Sequence, residues 1–190
     1  MDIKSIQWVS KGEEQVPAWR PPSWLRLQPA PAGKSLRHLL ETGELDAQIL
    51  SDTSFVDLAG NNLIRRLWPN YREIEASYYR RTGIFPIRHV MVLKNELLQR
   101  DSQIPRILMR LFEEAKQHAY RYWADHRRSY LAWFGAEQEE ERALLGRDPW
   151  PYSIENNRVV LDTLLDYAVE QGLTDRRLNI EEIFAPAALV

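Results

Sequence analysis

The chain has 190 residues, 44% of them apolar and 27% charged, with a formal net charge of -2, which fits one folded domain with a real core rather than a disordered chain. Interleaved charge signs exclude the strong field that nucleic acid or an anionic membrane surface would require. The absence of cysteine rules out disulfides, thiolate metal sites and cysteine nucleophiles, and no run approaches the roughly 18 apolar residues of a membrane span.

Ile3 to Ser10 alternates weakly through Ile6, Trp8 and Val9, the pattern of a short strand. The prolines at 17, 21, 22, 29 and 31 make residues 11–33 an extended connection, with room for a short strand at Trp24 to Leu27. Ser35 is placed to cap a helix that carries Leu36, Leu39 and Leu40 inward and stops at Gly43. Ala47 to Leu50 then reads as a short buried strand, opening at its carboxyl end into the polar residues Ser51 to Ser54. A helix feeding such a strand is one step of an α/β sheet, and ligands gather beyond the carboxyl ends of its strands.

Asn61 to Trp68 reads as a short helix stopped by Pro69, and Tyr71 to Tyr79 as a helical turn or loop. Ile87 to Leu93 (IRHVMVL) has the strongest strand pattern in the chain. From Ser102 onward the periodicity is helical. Ile104, Ile107, Leu108, Leu111, Phe112 and Ala115 form one stripe that continues to Phe134, with Gly135 as its stop. A charged helix from Glu137 to Leu145, a rigid DPWPY turn at 148–152, an amphipathic helix from Val159 to Gln171 and a last turn at Ile180 to Phe184 complete the order. In that helix Val160, Leu161, Leu164, Leu165 and Ala168 face inward.

Motifs with known chemistry thin out on inspection. Gly33-Lys34-Ser35 has the tail of a phosphate loop, but the required first glycine is Gln28. His118 and His126 lie about two helical turns apart, a poor spacing for a metal, and the acidic run at 137–141 reads as a solvated face. The stretch YYRRTGIFPIRHV, residues 78–90, survives. Arg81 has the fork geometry that holds a carboxylate, the amides around Thr82 and Gly83 can face an anion, and a histidine such as His89 suits proton transfer near neutral pH.

Three strings, RRLWPNYREIEASYYRRTGIFPIRH (65–89), DPWPYSIENNR (148–158) and LTDRRLNIEEIFAP (173–186), resemble the 4,5-dihydroxyphthalate decarboxylase family. The resemblance runs from about residue 33 to residue 186. It implies an α/β fold, a lobe like that of type II periplasmic binding proteins with a helical C-terminal half. Residues 1–100 would form the lobe with its crossing strand, and residues 101–190 a helical segment packed on it. It also implies removal of a carboxylate from an aromatic dicarboxylate, 4,5-dihydroxyphthalate going to protocatechuate.

On that reading Arg81, Thr82 and Gly83 bind a carboxylate, Ser51 and Ser54 complete the wall, and His89 protonates the ring carbon. The acid role needs no cofactor, no residue is assigned to a metal, and the partner is a small anionic aromatic acid in a cytoplasmic homo-oligomer. The alternative is a binding module that holds a small anion without chemistry. Two departures stand out. Family members carry a first lobe ahead of the segment at Ile3 to Trp8, so this chain reads as the C-terminal portion, and Arg88 occupies a position that tends to be apolar.

Overall fold

A computed structural model of the chain describes residues 2–12, 16, 19–49 and 63–188. It divides into two compact units, residues 1–75 with 168–175, and residues 76–167 with 176–190. The boundary expected after residue 100 falls inside the second unit.

In the first unit, β1 (Gln7–Ser10) pairs in parallel with β2 (Arg26–Pro29), Trp8 opposite Leu27. Pro29 stands opposite Ser10 without breaking the ladder, because the bond there comes from the next amide, Ala30, which reaches the Ser10 carbonyl at 2.8 Å. Residues 3–5, expected as strand, form a 3-10 turn instead. The Asp2 side chain accepts the Lys4 amide at 3.0 Å and draws the backbone out of the ladder. Helix α1 (Leu36–Glu41) follows the sequence reading closely. The Ser35 hydroxyl accepts the His38 amide, Leu39 is buried, and Gly43 takes a φ of 76° to close the helix end. Lys34, which a phosphate loop would have used, binds Glu44 at 2.8 Å.

Residues 47–49 carry no strand, and Ile49 is exposed. Leu50, Ser51 and Ser54 lie outside the described residues. The helix expected before Pro69 is absent from residues 63–68, where Leu67 and Trp68 face solvent. The helix lies just after that proline, as α2 (Tyr71–Thr82). Proline is excluded from a helix interior but tolerated ahead of its start, so Pro69 precedes a helix here rather than ending one.

The second unit holds the larger part of α2 together with α3 (Asn95–Arg100), α4 (Ile104–Trp123), α5 (Phe134–Leu145), all but the last turn of α6 (Arg158–Glu170) and α7 (Ile180–Ile183). Pro105 sits in the first turn of α4, where its missing N–H costs nothing. The helix does not run on to Phe134. It ends at Trp123, and Asp125 caps a 3-10 turn over His126–Arg128 by accepting the Arg127 amide. Gly135, expected as a stop, lies in the first turn of α5. A Cβ there would come within 2.8 Å of His126 Nδ1, so the close approach of that ring explains the glycine. Helix α7 carries a capping box, with the Glu182 carboxylate accepting the Asn179 amide at 2.7 Å.

Residues 85–93 form neither helix nor strand, and among the described residues no backbone hydrogen bond ties them into a sheet. Val90, Met91 and Val92 are exposed. The strand pattern of Ile87 to Leu93 therefore appears as an irregular strap rather than a paired strand. Its Ile87 packs on the core of the unit, formed by Ile154, Leu161, Leu165 and Ile180 with Leu178 and Phe184 beside them.

On α6 the inward face is narrower than the sequence pattern, since Leu164 is 57% exposed beside the buried Leu161 and Leu165. Leu165→Ala should therefore cost about 2–4 kcal/mol of stability in urea unfolding, through lost burial and the cavity left behind. Leu164→Ala should cost under about 0.5 kcal/mol, the usual result for an exposed site. Equal losses at the two positions would overturn this account of the core.

Candidate functional site

The site is built around a buried lysine. Lys116 projects from α4 and is 8% exposed. Its ammonium donates to Asp148 Oδ2 at 2.6 Å and to the Trp150 carbonyl at 2.9 Å, and it lies 2.8 Å from Glu113 Oε2. Asp148 Oδ1 in turn accepts the Tyr120 hydroxyl at 2.8 Å and the Trp150 amide at 3.1 Å. The turn at 148–152 is thus held from both the side chain and the main chain of its members. Asn157 closes its far end, donating to the Pro151 and Ser153 carbonyls.

Burial works to raise the Asp148 carboxyl, but the bonds from Lys116, Tyr120 and the Trp150 amide outweigh it, and the group lies below its ordinary range. The bond from Lys116 lowers Glu113 in the same way. Burial pulls Lys116 down, yet Asp148 and Glu113 leave it above its usual value. The same burial, together with the bond to Asp148, pushes the Tyr120 phenol up.

The pinned turn makes one wall of a cavity of about 720 Å³, with the 85–93 strap, the first half of α4 and Phe184 making the rest. Trp150 meets Phe85 at 4.6 Å between ring centroids, and Tyr152 meets Phe112 edge-on at 6.5 Å. The Lys116 ammonium sits 4.3 Å from the centre of the Tyr152 ring, so the clamp also fixes that wall. Core residues Ile154 and Leu161 line the same cavity. Its polar side chains include Arg88, His89, Ser153 and Asn157, and among the described residues no carboxylate lines it. A cavity with aromatic walls, an arginine and an imidazole suits a flat, apolar ring carrying negative charge.

His89 is the one expected site residue, among those described, that lines this cavity. Arg81 lies in the last turn of α2, exposed, with its guanidinium 5.6 Å from the Tyr78 ring. The Thr82 hydroxyl donates to the Tyr78 carbonyl and accepts the Ile84 amide, while the Gly83 amide donates to the Tyr79 carbonyl at 2.7 Å. The amides of residues 83 and 84 are therefore committed to closing the helix, with Gly83 at a φ of 68°. Lys116 escaped the sequence reading, and Asp148 and Trp150 entered it only as members of a rigid turn. The signal for Lys116 was a lysine four residues after Phe112 and three after Glu113 on one helix face.

Among the described residues no group of three or more histidines and carboxylates is placed to hold a metal ion, and no helix is long and apolar enough to cross a membrane.

No family model matches the chain. It is 29% identical, over 191 aligned positions, to 4,5-dihydroxyphthalate decarboxylase of Comamonas testosteroni, an alignment covering 97% of this chain. The relationship is distant, and the chain spans about 58% of the length of that curated relative.

The pH response of the clamp follows from its shifts. Asp148 and Glu113, lowered in the fold, add stability above the ordinary carboxylate range, near pH 4, and lose it as pH falls through their lowered values. Lys116, raised in the fold, adds stability below about pH 10 and loses it only as pH rises past its own value. The urea midpoint of the unmodified protein should therefore drop between pH 7 and pH 3 by more than that of Asp148→Asn. Parallel curves for the two proteins would show that Asp148 is not part of the acid response.

Proposed function

We propose that this chain belongs to a decarboxylase-like protein acting on an aromatic dicarboxylate of the 4,5-dihydroxyphthalate type. The observation that carries the proposal is the cavity itself: aromatic walls, His89 and Arg88 on its lining, and no carboxylate among the described lining residues. The distant relationship to a 4,5-dihydroxyphthalate decarboxylase supports the same chemistry. The reading also carries the α/β lobe of type II periplasmic-binding-protein kind that the family resemblance implies.

In this mechanism the ring lies against Trp150 and Phe85. The bond between a ring carbon and its carboxylate breaks, carbon dioxide leaves, and the electron pair stays on the ring carbon. The His89 imidazolium gives that carbon a proton, and water then reprotonates the imidazole.

Purified protein incubated with carboxyl-labelled 4,5-dihydroxyphthalate should release labelled carbon dioxide and the monocarboxylic product. His89→Gln should lower that rate by roughly a hundredfold or more, the usual worth of a placed proton donor, while binding changes little. Saturable binding with no carbon dioxide released would favour a binding module instead. An unchanged rate in His89→Gln would remove histidine from the acid role.

A further inference from the structure

The expected carboxylate anchor, Arg81, is not on the cavity, which leaves the aromatic walls in need of a cation. Arg88 supplies one. It stands on the 85–93 strap beside His89, lines the cavity, and holds its guanidinium 5.5 Å from the centre of the Trp150 ring. Among the described residues no carboxylate pairs with Arg88, in contrast to Arg176, Arg177 and Arg127, which are all bound to acids.

An arginine resting on an aromatic face keeps its plane fixed and its edge N–H groups free, the arrangement that receives a carboxylate in two parallel bonds. The shelf beneath it is rigid, because both the amide and the carbonyl of Trp150 are tied into the Lys116 and Asp148 clamp. Such a shelf spares the side chain much of the entropy that ordering a long cation costs.

We infer that Arg88, held over the Trp150 ring, is the residue that selects a carboxylate on the bound ring. This rests on reading the cavity as an aromatic-acid site and adds to it the group that distinguishes acid from neutral analogue. The carboxylate held by Arg88 is the one retained, since the departing group must end as uncharged carbon dioxide beside His89.

Titration calorimetry with phthalate and with the neutral diamide phthalamide tests this on the whole protein. The unmodified protein should prefer phthalate, and Arg88→Gln should weaken phthalate by about tenfold or more, the usual worth of a charge-assisted pair, while phthalamide shifts little. Arg88→Lys, which keeps the charge but not the fork, should fall between the two. Near-ultraviolet circular dichroism of each variant checks that the Trp150 environment is retained. A preference for phthalate that survives Arg88→Gln, or that is lost in Arg81→Gln instead, overturns the assignment of Arg88 and leaves the cavity reading standing. If the unmodified protein binds neither compound, the cavity reading and this inference fall together.

Discussion

An ammonium group cannot be taken out of water without partners for its N–H groups, and that constraint organises the second unit. Desolvating such a charge costs several kcal/mol, which only close and well-directed partners offset. Lys116 meets the requirement by drawing Asp148, Glu113 and the Trp150 carbonyl to within 3 Å of its nitrogen. Three segments far apart in sequence are brought together as a result. The turn at 148–152 is held on α4, Trp150 is set at a defined height above it, and Phe85 on the strap finds its ring partner. The cavity is the space these commitments leave open.

The chemistry of that space follows from its division of labour. Buried core residues give it a floor, since Ile154 and Leu161 belong to both core and cavity. Aromatic rings give it flat walls. The charged and titratable side chains Arg88 and His89 come from the strap rather than from the helices, so the polar chemistry rides on a segment with no backbone–backbone hydrogen bonds among the described residues. Sites that put functional groups on connecting segments and rigidity on the scaffold are common, because a loop can change without unfolding the core.

Much of the helical framework was legible. Ser35 and Gly43 mark ends that the structure places where cap and stop chemistry would put them. What failed did so for physical reasons. The apolar stripe drawn through Ile107, Leu111 and Ala115 is exposed, while Pro105 and Lys116 are buried. A hydrophobicity pattern cannot show that a lysine will be worth burying until its partners, some thirty residues away, are in place. The strand pattern at 87–93 is a second case, since β-branched residues specify an extended backbone but not a neighbour to pair with. At the candidate site, His89 was found from its local chemistry. The Thr82 and Gly83 reading met the competing demand of a helix end for the same donors.

The strap has a consequence for how the protein behaves in bulk solution. A run such as Val90-Met91-Val92-Leu93, apolar, exposed over its first three residues and with no backbone–backbone hydrogen bond among the described residues, is the kind of segment that recruits another chain into cross-strand stacking. Arg88 and Lys94 bracket it with positive charge, and Pro86 stands just ahead. Charges and prolines at such flanks act as gatekeepers, because each added copy would bring like charges into register. The colloidal stability of this molecule thus depends on a few flanking residues whose contribution to its folding energy is slight.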